Sequence, residues 1–339
     1  MGVKRVKHKF PIFFVLPGLA GVTFLASWVG LFPQQLVEDS YSRGVFPTIS
    51  HVFGAMSAAI PISWLDVWIL VCGGILIYAV YQRRWAVLVG VASFFYLWFF
   101  WGWGLNYHRP PVATRLQLDT EELTKADFDR FTDKAVGEIN RLWPLASKAR
   151  LSRDQIAAMA AQRVERVVFK IDGTDWPLPA QVKRSLLLEP WYDGAGIDGM
   201  FNPFGHEALV IEGPFSFELP FLMAHEIAHV RGIANEGEAN LVALFATVAS
   251  EDPRFQYSGW LYLWGYLHTA RGRLDAGPRE DLQAITDRIL SNRIQAISNI
   301  QTVLLDAHLK ANAVPGGIRS YSDFVRLAIA SQARWKEFR

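Results

Sequence analysis

Two histidines four residues apart, His225 and His229, stand in a run from Leu219 to Val230 that is otherwise apolar except for Glu226. The run reads as a helix, and on a 3.6-residue helix the two imidazoles share a face and can grip one metal ion. Glu226 lies beside them, placed to take a proton from a metal-bound water. As an ordinary polar face the trio would be costly. A helix this apolar is mostly buried, and buried polar groups need partners. A metal and a facing carboxylate would supply them.

A catalytic zinc takes three protein ligands and keeps a fourth position open. The third should come from the start of the next helix, where Glu236 and Glu238 sit. On a helix these two point roughly 200° apart, so only one can ligate. Glu236 is the expected ligand and Glu238 the alternative. Asn240, four residues beyond Glu236, would then share its face and hydrogen-bond a ligating imidazole. An oxyanion formed during acyl transfer needs a further donor, for which Tyr257, His268 and Tyr321 are candidates. His206 reads as a surface histidine in a turn. The only cysteine, Cys72, falls in an apolar span, so no intramolecular disulfide or cysteine-ligated zinc is expected.

These residues sit on a chain of 339 residues with 13 Trp and 23 Phe, a mean hydropathy of +0.14 and a net charge of +2. The charge and the lack of a basic stripe give no reason to expect nucleic acid. The apolar excess lies in residues 1–105, which predicts a membrane anchor of three transmembrane helices, at about 10–31, 62–82 and 86–105. The first reads as an uncleaved anchor. Asp66, near the start of the second, is expected to reach the interface. Lys4, Arg5, Lys7 and Lys9 precede the first span, and Arg83 and Arg84 turn the chain between the second and third. The positive-inside rule makes both clusters cytoplasmic and puts everything after about Asn106 outside. Residues 32–61 read as the outer loop. Tyr96, Trp98, Trp101, Trp103 and Tyr107 read as an aromatic belt at the outer end of the third span.

Residues 106–339 form the second expected domain, rich in α-helix. Helices are predicted from about Asp119 to Leu142 and from 153 to 170, whereas the segment up to Leu188 is ambiguous. Residues 200–211 read as two short strands turning at Pro203–Gly205, and their exposed edge could hold an extended peptide. The helix of His225 should end near Gly232, with Asn235 capping the next. The aromatics of 255–268 suit a helix core or a face toward the bilayer. Arg279 to Lys310 reads as one long amphipathic helix, and Ser322 can cap a last one.

The chain resembles a family of bacterial membrane proteins designated domain of unknown function 3810, placed among the zincin-like (gluzincin-type) metallopeptidases. The resemblance rests on Trp103-Gly104-Leu105-Asn106-Tyr107-His108-Arg109-Pro110, on Leu219-Pro220 with His225-Glu226-Ile227-Ala228-His229-Val230-Arg231-Gly232, and on Glu236-Gly237-Glu238-Ala239-Asn240. It continues in Tyr257-Ser258-Gly259, in Leu309-Lys310-Ala311-Asn312 and in Gly317-Ile318-Arg319-Ser320-Tyr321-Ser322. It implies a zinc metallopeptidase anchored in the bacterial inner membrane as a multi-pass protein, with its catalytic domain on the extracytoplasmic side. Glu236-x-x-Ala239-Asn240 is also similar to the E-x-x-A-D third-ligand motif of other membrane-associated zinc peptidases, with Asn240 where they carry Asp. The expected partners are a peptide or protein substrate and the lipid bilayer. Two other readings remain open: a metal-stabilised, chaperone-like membrane scaffold, and a zinc hydrolase acting on an envelope amide.

Overall fold

The computed structural model describes residues 12–148, 151–176, 181–267, 271–312, 314 and 323–339. Tyr321, Ser322 and His268, named above, lie outside them. The chain is mainly helical, beginning with α1 (Ile12–Trp28), a single turn α2 (Gln34–Leu36), a π-helical stretch Val37–Val45, and α3 (Phe46–Ala58). Next come α4 (Trp64–Tyr81) and α5 (Trp85–Gly102), a 3-10 turn at Gly104–His108, α6 (Val112–Arg115), α7 (Lys125–Ala146) and α8 (Arg153–Asp172). A small sheet follows, with β1 (Val182–Lys183), helix α9 (Glu189–Ala195), β2 (Gly199–Asn202) and β3 (Glu207–Val210). The chain continues through α10 (Leu219–Val230), α11 (Glu236–Val248), α12 (Pro253–Trp264), α13 (Ala276–Asn292), α14 (Gln295–Ala311) and α15 (Asp323–Ala330).

Among the described residues two helices, α4 and α5, are long and apolar enough to cross a membrane. Only 11% and 17% of their apolar windows are buried, whereas the core helix of a soluble protein would be mostly covered. The sequence led us to expect three such spans. Of the first, the structure describes the 17 residues of α1, a mostly apolar helix that packs along α5.

The expected outer loop at 32–61 is instead helical and folded into the protein. Phe46 is fully buried, and Ser57, Ser63 and the Trp64 N–H all bond the buried carboxylate of Glu207 on β3. Lys183 of β1 completes that site, its Nζ 2.9 Å from Glu207. The head of α4 is thereby tied to the sheet. Asp66 does not face lipid: it is buried and accepts from the Ser185 hydroxyl (2.5 Å) and the Leu186 N–H (2.8 Å).

Local signals explain where elements begin and break. A Thr124–Asp127 capping box starts α7 later than the acidic run at 119–122, where Asp119 instead caps a turn through the Glu121 N–H. Ser152 and Gln155 form the corresponding box of α8, and Gly173 ends that helix in the left-handed region. The hairpin at 199–210 pairs antiparallel, and β1, from the ambiguous segment, adds in parallel on the far side of β3. The order β1-β3-β2 leaves β2 at an edge. The long helix expected at 279–310 is two helices. Arg293 and Ile294 are extended, and the Ile294 N–H bonds the Gly194 carbonyl of α9. On α12, Phe255, Tyr257, Trp260 and Leu263 are buried, so its aromatics are core and not a face toward lipid.

Candidate metal centre

Helix α10 is the buried spine of the domain. Phe221, Ala224, Ile227 and Ala228 are fully covered, by β2, β3, α8, α11 and α12. Gly232 lets it stop sharply. Its φ is +80°, and a Cβ there would come within 2.7 Å of Phe46. Asn235 then accepts from the Glu238 N–H and caps α11, which packs on α10 with its first residue, Glu236, facing the histidines.

The structure brings His225, His229 and Glu236 together as a group able to hold a metal ion. The two Nε2 atoms are 3.1 Å apart, and Glu236 Oε2 lies 3.1 Å from one and 3.4 Å from the other. Bonds of about 2.0–2.1 Å to a tetrahedral zinc would set two ligand atoms roughly 3.3 Å apart, so the spacing is of the right size. The chemistry fits as well. His229 Nδ1 lies 2.7 Å from the Ile233 carbonyl, which can only accept, so Nδ1 carries the hydrogen and a neutral ring turns a lone pair toward its neighbours. Three acceptors facing one point need a proton or a cation between them. In the bare protein, burial opposes charging His229, but Glu236 and Glu226 raise its imidazole to about 9. Burial likewise opposes ionising Glu236, and the two imidazoles hold its carboxyl well below the usual range.

The other sequence candidates are placed differently. Glu238 points away, accepting from the Val112 N–H (2.6 Å) with Arg115 4.0 Å off, as the 200° between alternate helix positions requires. Asn240 is fully buried but bonds neither imidazole, and His229 is oriented by Ile233 in its place. Tyr257 is committed elsewhere: its buried hydroxyl donates to Asp281 at 2.6 Å. Burial and that neighbour raise its pKa. His206 is not a surface residue. Covered by α3, it is 3% exposed, stacks on Phe53 at 5.2 Å, and burial drives its pKa down to about 3.

Glu226 is buried, and burial raises its carboxyl to about 7, the two imidazoles pulling the other way. Its carboxylate lies against the backbone of β2. A Cβ on Gly199 would sit 2.6 Å from Glu226 Oε1. An edge strand therefore passes directly over the carboxylate, and it can do so because position 199 has no side chain.

Residues that the sequence reading left aside also border the centre. Trp103 is buried and donates its indole N–H to the His229 carbonyl at 2.8 Å. Tyr107 and His308, 3.5 Å apart, both feel the charge of Glu236, and Tyr192 that of Glu226. Trp103, buried, is thus a wall of the centre and not a member of a membrane belt, while half-buried Tyr107 borders the centre beside His308 and Trp101 remains exposed. The usable signal was their place in one motif, four residues apart, immediately after an apolar helix.

A family model described as "Protein of unknown function (DUF3810)" matches residues 41–329, well over half of the chain. The chain belongs to this family. No curated protein and no solved structure matches it. The DUF3810 region begins in the π-helical stretch before α3 and ends in α15, so it takes in the His225, His229 and Glu236 group, the sheet and both apolar helices α4 and α5.

Proposed function

We propose that this DUF3810 protein is a membrane-anchored, zincin-like zinc metallopeptidase of the bacterial cytoplasmic membrane, with its centre on the extracytoplasmic side. The observation that carries this reading is the convergence of His225, His229 and Glu236 at 3.1–3.4 Å with Glu226 alongside. Zinc held by those three side chains would supply the Lewis acid that activates water and polarises a carbonyl. The remaining chemistry belongs to the chain. An extended substrate pairs with the free edge of β2, which lays its backbone beside Glu226. Glu226 takes a proton as the water oxygen bonds to the carbonyl carbon. As the carbon–nitrogen bond breaks, it passes that proton to the leaving amine. A carboxyl near 7 is suited to both transfers. Tyr107 and His308, in place of Tyr257, are the donors we assign to the oxyanion.

The test is elemental analysis of the full chain in detergent, together with hydrolysis of peptide libraries read by mass spectrometry. Bound zinc and peptide cleavage are expected. Zinc with cleavage of wall amides alone would shift the reading to an envelope amidase, and protein that binds no metal would overturn it. A sharper result comes from Gly199→Ala. The new methyl meets only the Glu226 side chain, at Oε1, Cγ and Cδ, and none of the three residues that would hold the ion, so zinc content should hold. Mispositioning the base by about 1 Å should lower kcat by about 10²-fold.

A further inference from the structure

Helix α14 carries an apolar stripe that no described part of the chain covers. Ile300, Val303 and Leu304 are 50%, 68% and 57% exposed. With Ala296 and Ala307 they lie on one helix face at the three- and four-residue spacing, with no charge among them. Asn299, Thr302 and the ion pair of Asp306 with Lys310 (2.6 Å) border the stripe on one side, and Arg293 precedes the helix. The opposite face is turned into the protein. Ser298 and Leu309 are buried, and Gln301 accepts from the Trp191 indole of α9.

The position of this helix says what would cover the stripe. At its C-terminal end, the His308 ring meets Phe99 of α5 at 5.4 Å and faces Tyr107. At its N-terminal end it packs on α9 through Ile294 and Ile297, which close over Gly194. Just before α9, Leu186 and Leu187 are exposed, their N–H groups bonded to Asp66 in the first turn of α4. Uncovered apolar side chains thus run from the head of α4, past α9 and along α14, to the outgoing end of α5. Both ends belong to helices able to cross a membrane. An uncharged stripe with a polar flank, continuous with such helices, suits a bilayer interface.

We propose that α14 lies in the headgroup boundary of the bilayer with Ile300, Val303 and Leu304 among the acyl chains, forming the membrane-side wall of the metal centre. This rests on the reading of α4 and α5 as membrane-crossing helices, and a label on α4 keeps the two apart.

The full chain carrying Cys72→Ser would be given one nitroxide-labelled cysteine at a time, by Val303→Cys, Leu304→Cys, Thr302→Cys or Ile77→Cys. Each would be reconstituted in phosphatidylethanolamine–phosphatidylglycerol vesicles. Collisions with oxygen, which partitions into lipid, are then compared with those of a water-soluble nickel complex. Ile77, 72% exposed on α4, reports whether that helix meets lipid. Thr302, roughly 100° round α14 from Val303, reports its polar flank. Labels at 303 and 304 should match the one at 77, oxygen-accessible and nickel-shielded, with nickel reaching the label at 302 several-fold more. Nickel access at 303 and 304 equal to that at 302 would put the face in water. Labels there immobilised and shielded from both reagents would mean cover by a second copy or another protein. Either result overturns the proposal while a lipid-exposed label at 77 leaves the spanning reading intact. A label at 77 that avoids lipid overturns both.

Discussion

Replacing Glu226 by glutamine is expected to lower kcat by about 10³-fold, within the range for loss of a general base, and to leave zinc content unchanged. Glutamine keeps the shape of the side chain, and position 226 lies outside the group able to hold an ion, His225, His229 and Glu236. The substitution replaces a basic carboxylate oxygen by an NH2, so the side chain can no longer take up and pass on a proton. Glu236→Gln should do the reverse, releasing the metal to a chelator, with Glu238→Gln as the control that retains it. That contrast follows from geometry, since Glu236 Oε2 faces both imidazoles whereas Glu238 faces the Val112 N–H. Metal content by elemental analysis and single-turnover kinetics separate the cases. Full activity in Glu226→Gln would remove the catalytic reading and favour a metal-stabilised scaffold.

The second large effect is on stability. Arg109 is buried and bonds Glu38 in two places, at 2.8 and 3.0 Å, Asp172 at 2.9 Å, and the Gly232 carbonyl at 3.2 Å. It joins the π-helical stretch, the end of α8 and the turn between α10 and α11 around one guanidinium. Arg109→Ala would leave two buried carboxylates short of their counter-charge, which costs about 3–5 kcal/mol. Thermal denaturation in detergent reads this as a fall in Tm, and adding Glu38→Gln should recover part of it. An unchanged Tm would show that water or Arg115 replaces the lost charge. The same cluster sets an acid limit. Burial works against ionising Asp172, but Arg109 and Arg115 hold its pKa below the ordinary 3.8. The unfolded chain therefore binds that proton more tightly. The stabilisation is complete above pH 3.8 and is lost as pH falls through the folded value.

The sequence by itself determined the parts of this protein that depend on short-range spacing. His225 and His229 share a face because a helix repeats every 3.6 residues. Glu236 and Glu238 diverge for the same reason, so a choice between them was legible before any coordinates. The hairpin at 199–210 and the stop at Gly232 likewise follow from local turn chemistry. Only the tertiary structure decided what depends on contacts between residues far apart in the chain. Residues 32–61 read as a loop because they lie between two apolar spans, yet they are largely helical and Ser57 closes on Glu207, 150 positions away. Trp103 looked like a belt aromatic because composition after an apolar span cannot distinguish a ring facing lipid from one buried against His229. Asn240 and Tyr257 lay at plausible spacings, but their bonds depend on which neighbour arrives first, and Ile233 and Asp281 do. Periodicity ranks the faces of one helix, whereas packing decides which face of which helix meets the His225–His229 pair.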